Sequence, residues 1–421
     1  MLVLFAVFVF GLMGLAALVI DVGFARLAQR QMQTAAQAAA LEGLRFRDDP
    51  TFADPAEGDE ARRQRASDIV AWTFDDDFDP SADPRQFGAG PVLEFTDGIP
   101  LSAEFNASER IVVPDVPVYK PARHDGQTRG LELNLDDEFH GDMLKGTYHD
   151  GPGVFHVEDS SYTRDDFSTT GDTAFLVRMR RTTGANPLDA QPGASTRGPT
   201  VPFLFGRGGL LDLDTRGRGL TVRATAIADA RRAMSAGAAD AARDVPGTLP
   251  FVLFRPAWTG RTLDAVTTLV FDSAGQVLAD GDAVGFVVDP DARGALTSLG
   301  QEQTQTPVAD AGSFVAALVA NLPAERLGYV PVLADSAANA ALDNHVIGFG
   351  FVDDLAADPE DSTRLLVTVR GNRIAPENAT GTLAQPLPEQ FRDEQPDPYL
   401  DALFEQHLQL ENPLLAPVLV R

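Results

Sequence analysis

The first twenty residues, Met1 to Ile20, are apolar without interruption, and the pattern breaks at Asp21. Twenty residues at about 1.5 Å rise each match a hydrocarbon core of about 30 Å. From Asp21 to about Leu44 the apolar positions thin to a helical spacing. Alanine, glutamine and leucine dominate (Ala25, Leu27, Ala28, Gln29, Gln31, Gln33, Ala35, Ala36, Ala38 to Ala40, Leu41), and no proline stands before Pro50. These are good helix formers. The pattern therefore predicts one helix over Met1–Leu44, about twice as long as a membrane is thick. It is too long, and too directly continued, for a cleaved signal sequence.

Beyond Leu44 the pattern changes twice. Residues 46–58, with Pro50 and Pro55, read as a polar hinge, and Asp59–Phe74 reads as a short helix with Ile69, Val70, Trp72 and Phe74 near its end. Asp75–Pro84 is an acidic, proline-bearing loop. From about Gly88 the helical period gives way to alternation and turn signals. Pro91–Phe95, Arg110–Val113, Leu131–Leu135, Val154–Val157, Ala174–Arg178, Pro202–Phe205 and Leu220–Thr225 are predicted strands. In Ala174–Thr182 the side chains of Phe175, Val177 and Met179 point one way and those of Leu176, Arg178 and Arg180 the other, as in a half-buried strand.

The clearest local structure is a meander. Leu269–Phe271, Gln276–Leu278 and Val284–Val288 are strands joined by a turn at Asp272–Gly275 and an Asp280-Gly281 turn, a strong hairpin signal. Ser313–Leu322 predicts a helix stopped by Pro323. Strands follow at Val330–Leu333, Val346–Val352 and Leu365–Arg370, then a loop over 376–396, a helix over Pro398–Leu410 and a closing strand at Pro417–Val420. The Ala/Gly/Arg/Asp stretch 228–247 is the best internal boundary. The expected fold class is mostly β (α+β): a long N-terminal transmembrane helix, then a large, sandwich-like β-rich domain with a few short helices. The expected divisions are 1–45, 46–87, 88–230 and 246–421.

Composition narrows the partners. Lys and Arg number 34 against 61 Asp and Glu, a net charge of −27. Such a surface repels nucleic-acid phosphate and anionic lipid headgroups, so neither is expected as a partner of the soluble part. Cysteine is absent, which excludes disulfides, thiolate metal sites and a cysteine nucleophile.

The helix carries a resemblance. Asp21-Val22-Gly23, Leu27, Arg30-Gln31-Met32-Gln33, Ala35-Ala36 and Ala38-Ala39-Ala40-Leu41 together resemble the N-terminal module of TadG-like proteins of the Tad/Flp pilus-assembly system. That module is an apolar helix, a D-x-G step and a Gln/Ala stretch, and it covers about forty-five residues here. The family's Asp between the alanine pairs is Gln37 in this chain. The resemblance also implies a short basic segment ahead of the apolar run, so an upstream stretch is expected. It implies a short inner N-terminus and a large extracytoplasmic domain, against the positive-inside tendency of Arg26 and Arg30. The expected partners are the bilayer and other Tad/Flp pilus-assembly proteins, with helix-mediated self-association. The residues expected to carry membrane insertion and assembly are Asp21, Gly23, Gln31, Gln33, Ala35, Ala36, Ala38, Ala39 and Leu41. Asp21 is expected to fix the depth of the span.

Many TadG-like proteins continue into a von Willebrand factor A domain with a D-x-S-x-S metal signature. Asp159-Ser160-Ser161, Asp272-Ser273-Ala274 and Asp335-Ser336-Ala337 lack its spacing, so that module is not expected. Other candidate chemistry reads as structural. Asp75, Asp77 and Asp79, with Ser81 and Asp83, alternate as calcium ligands do, but Pro80 and Gln86 stand where an EF-hand needs Gly and Glu. His140, His149 and His156 fall within seventeen residues, yet form no zinc signature. Gly206-Arg207-Gly208-Gly209 lacks a phosphate-loop lysine, and no G-x-S-x-G elbow occurs. No catalytic residue, metal or cofactor is assigned. The leading expectation is a non-enzymatic, single-pass membrane protein of the cell envelope that aids pilus assembly, anchoring or adhesion. The alternatives are a pilin-like structural subunit, which lacks a G-x-x-x-x-E processing motif here, and a membrane-tethered hydrolase built on the three histidines.

Overall fold

The structure, a computed structural model, describes residues 2–48, 55–74, 143–148, 167–181, 222–237, 240, 242, 245–259, 265–334, 342–375, 379–381 and 398–420. The predicted strands at 91–95, 110–113, 131–135, 154–157 and 202–205 lie outside the described residues. So do Asp75 to Asp83, His140, His149, His156 and Gly206–Gly209. The chain divides into two compact units, Met1–Asp229 with Leu419–Arg421, and Ala230–Val418.

The first unit begins with α1, Leu2–Arg45, followed by a 3₁₀ turn at Phe46–Asp48 and α2, Pro55–Phe74. α2 starts four residues earlier than its apolar pattern suggests, because Pro55 at the first helical position loses no hydrogen bond and presets φ. Strands β1 (Met143–Tyr148), β2 (Phe167–Ser168) and β3 (Ala174–Arg181) follow. β1 pairs antiparallel with both β2 and β3. β3 pairs antiparallel with the first half of β4, Val222–Ala236, from Ala174↔Asp229 to Arg181↔Val222.

β3 departs from the half-buried reading: Ala174, Phe175, Leu176 and Val177 are all fully buried. Leu176 and Ala174 cluster with Leu144, Phe167 and Ile227. Phe175, on the opposite side, lies against Gly43 of α1, where even a Cβ would stand 2.3 Å from the ring. A helical layer on one face and an apolar cluster on the other explain the uninterrupted burial.

The second unit is built on a closed barrel. Its strands are β5 (Phe251–Phe254), β6 (Val266–Phe271), β7 (Gln276–Ala279), β8 (Asp282–Val287), β10 (Gly328–Leu333), β11 (Val346–Ala357) and β12 (Arg364–Arg370). They close in the order β10-β11-β12-β6-β7-β8-β5. The expected class holds, a long N-terminal apolar helix followed by a strand-rich part with a few short helices, and within it the strands of this unit close into a barrel rather than an open sandwich. The reason is β5, a strand of four apolar residues with no alternation or turn signal of its own. It pairs antiparallel with β8 on one side and parallel with β10 on the other, joining two edges that would otherwise be open. The meander β6–β7–β8 forms as read. Asp280 (φ 53°) and Gly281 (φ 90°) make its tight turn, both in the left-handed region that this hairpin type demands.

Helix α3 (Arg255–Thr259) follows β5, and β9 (Thr297–Ser298) precedes α4 (Ala311–Asn321). Asp310 caps α4 by accepting from the Ser313 amide at 3.0 Å. Phe314, Val315 and Leu318 of α4 join the barrel residues Phe251, Phe271, Val330 and Val367 in one core. A second core on the other strand face contains Val252, Tyr329, Phe349 and Phe351. After β12 come β13 (Ala379–Gly381), α5 (Pro398–Gln409) and β14 (Leu415–Leu419).

A close contact in the barrel is at Gly350 of β11. A Cβ there would meet the Trp258 ring at 2.0 Å. Trp258 is buried and donates its Nε1–H to the Glu411 carbonyl at 2.9 Å, so the ring has no free direction. Gly350→Ala is expected to cost about 1–3 kcal/mol through overpacking, read as a lower urea midpoint for the second unit. A change below about 0.5 kcal/mol would show that the ring moves freely.

His407 in α5 is 2 % exposed. Its Nδ1 lies 2.7 Å from the Ile347 carbonyl, which identifies the neutral ring as the Nδ1–H donor. Burial pushes its pKa from 6.5 down to about 4; the hydrogen bond to Ile347 opposes this, and the Arg232 guanidinium adds to it. Arg232 in turn donates to the His407 and Leu410 carbonyls at the end of α5. The unfolded chain binds this proton more readily than the folded one. Stability is therefore complete above about pH 6.5 and falls as the pH drops toward 4, by about 3 kcal/mol in all. Urea midpoints measured across that range are expected to show this slope, and His407→Gln to flatten it.

Candidate functional site

The candidate site is α1 itself, and its two halves stand in different surroundings. From Leu4 to Ile20 nearly every side chain is uncovered: Leu4, Phe5, Phe8, Phe10, Met13, Leu15 and Val19 are each more than 60 % exposed. The helix is long and apolar enough to cross a membrane. Gly11, Gly14 and Gly23 meet nothing within 4 Å of a would-be Cβ. An uncovered run of this length in water would lack any apolar partner.

Packing begins where the sequence pattern breaks. Asp21 is 4 % exposed, between Ile20 at 43 % and Val22 at 40 %. From there the buried positions are Ala28, Met32, Ala35, Ala36, Ala39, Ala40 and Leu44. Their spacing of three, four and seven is one stripe of a helix. The stripe packs on α2 and β3. Small side chains are needed because α2 and the sheet approach α1 closely.

The expected assembly residues therefore separate into groups. Asp21, Ala35, Ala36 and Ala39 are buried within the chain. Gln33 donates its Nε2–H to the Thr225 carbonyl of β4 at 2.8 Å. Ala38 and Leu41 are half-buried, and Gly23 and Gln31 face outward. The small buried side chains pack inside this chain, against α2 and β3.

Residues that the sequence reading did not single out hold this arrangement. Arg62 of α2 is 1 % exposed. Its Nε donates to the Gly43 carbonyl at 2.9 Å and its Nη1 to Asp172 Oδ1 at 2.6 Å. Its guanidinium lies 4.9 Å from the Phe175 ring centroid, within cation–π range. Asp59 pairs with both Arg62 and Lys145 of β1. Arg65 reaches Glu42 of α1 at 3.3 Å. One buried arginine thus ties the end of α1 to α2 and the start of β3. In sequence it sits in the charged first half of the predicted helix Asp59–Phe74, and only its position opposite Gly43 marks it.

Among the described residues no three His, Asp or Glu side chains gather as a metal site would require. The site is a half-free, half-packed helix, and that makes its module recognisable.

Residues 1–47 match the family described as putative Flp pilus-assembly TadE/G-like. The TadE/G-like match begins with the uncovered apolar half, includes the alanine stripe and ends in the 3₁₀ turn after α1. No family is matched by the rest of the chain. No curated protein and no solved structure matches it either. The TadE/G-like segment supports an envelope protein related to pilus assembly.

Proposed function

We propose that this chain is a non-enzymatic, single-pass protein of the cell membrane that aids the assembly or anchoring of a Tad-type pilus, or its adhesion. In this reading Leu4–Ile20 crosses the bilayer and both folded units lie on the extracytoplasmic side. Other Tad/Flp pilus-assembly proteins are its partners, together with helix-mediated self-association. The observation that carries the reading is the coincidence of the TadE/G-like match with α1, bare over its apolar half and packed over the remainder.

The test is cross-linking in intact cells followed by purification from membranes and identification of partners. Enrichment of pilus-assembly membrane proteins is expected, and its loss when residues 2–20 are replaced by an unrelated span. Equal partner sets for the two spans would contradict the assembly role.

One observation favours a second reading. A helix with a free apolar half and a half fixed to an antiparallel sheet is also suited to a subunit that polymerises through that helix. Recovery of the chain in sheared filaments, at the abundance of their main component, would select the pilin-like reading. Recovery in membranes alone selects the assembly role.

A further inference from the structure

From the geometry of α1 we infer that Arg26 and Arg30 bind the headgroups of anionic phospholipids in the leaflet facing the folded units. This rests on the reading of Leu4–Ile20 as a membrane span. The two arginines are four residues apart and share a helix face. Both are exposed, on the side of α1 away from the buried stripe Ala28, Met32, Ala35 and Ala39.

Their position along the axis fits a headgroup layer. Arg26 lies six residues beyond Ile20 and Arg30 ten, about 9 and 15 Å at 1.5 Å per residue. The polar layer on each side of the hydrocarbon is about 5–8 Å deep. Helical side chains lean toward the N-terminus, here toward the bilayer. Long arginine stems carry the charged ends further the same way, so the Arg26 guanidinium falls within the layer and that of Arg30 at its outer margin.

Charge complementarity selects an anionic lipid. Five other cations of this unit pair with carboxylates: Arg45 with Glu42, Arg47 with Asp48, Arg62 with Asp172, Arg65 with Glu42 and Lys145 with Asp59. Among the described residues, no carboxylate pairs with Arg26 or Arg30. In a chain of net charge −27, an anionic surface otherwise repels the protein. Two unpaired guanidiniums at headgroup height offset that repulsion where the chain meets the lipid, and each can hold a phosphate bidentately.

The test uses the full chain in detergent micelles, titrated with phosphatidylglycerol or phosphatidylcholine and read by native mass spectrometry. Phosphatidylglycerol is expected to be retained over phosphatidylcholine by roughly fivefold to thirtyfold, about fivefold for each arginine. The Arg26→Gln/Arg30→Gln chain is expected to keep its fold and bind the two lipids equally. No preference in the natural chain, or an undiminished preference in the double variant, overturns the inference while leaving the span intact. A natural chain that stays in aqueous solution without detergent overturns the span and this inference together.

Discussion

Arg62→Ala is expected to destabilise the first unit by about 3–5 kcal/mol, the range for breaking a buried ion pair by removing one partner. Three losses combine. The Gly43 carbonyl loses its donor at 2.9 Å, Asp172 loses its partner at 2.6 Å, and the Phe175 ring loses the guanidinium stacked on it. Truncation also leaves a void in a place that is 1 % exposed. Asp172 is itself 40 % exposed on its side chain, so water accepts part of its charge and the cost stays within this range. Arg62→Lys keeps the charge but not the fork and is expected to recover less than half of the loss. Hydrogen exchange gives the readout. Amides of α2 and β3 are expected to exchange roughly a hundredfold to a thousandfold faster, while those of the barrel in the second unit keep their rates. Acceleration below tenfold would show that the helices are held by the alanine stripe alone.

The second large effect is on location. Removing Leu2–Ile20 is expected to move essentially all of the chain from the membrane fraction to the soluble fraction, with both units folded. Eleven large apolar side chains from Leu4 to Ile20 are exposed by 43 % or more. Each is worth about 1.5–3 kcal/mol when taken out of water, which on the proposed reading of α1 as a span is the force that holds the intact chain in lipid. Their removal leaves the folded part untouched, because the regular buried stripe of α1 starts at Ala28. The truncated chain is expected to show the same urea midpoint for its barrel as the full chain in detergent. A truncated chain that aggregates, or that remains with membranes, would show that the apolar half has a structural partner.

Much of the fold can be read from pattern, and the reasons for the exceptions are physical. α1 is legible because its apolar run, its break at Asp21 and its alanine spacing all act within one helix. The meander is legible because Asp280-Gly281 fixes a turn locally. β5 is not, since Phe251–Phe254 is four apolar residues that gain strand character only by pairing with β8 and β10. The second half of β4 reads as Ala/Arg-rich boundary, yet continues as strand to Ala236 because β9 and β13 pair with it there. The barrel depends on closure between strands distant in sequence, which no local spacing records. At the site, the alanines announce close packing but not with what. Arg62 is hidden for the opposite reason: its environment is set by Gly43, Asp172 and Phe175, up to 113 positions away in the chain (175 minus 62).

The central claim is that α1 changes surroundings at Asp21, from lipid to protein. The chain has no cysteine, so single cysteines can be placed along the helix and challenged in native membranes with a membrane-impermeant maleimide. Cysteines replacing Phe8, Leu12 or Leu15 are expected to stay unlabelled until detergent is added, although the protein itself leaves them uncovered. Cysteines replacing Leu27, Gln31 or Thr34 are expected to label from the extracytoplasmic side without detergent. Equal labelling of Leu12→Cys and Gln31→Cys in intact membranes would contradict the account.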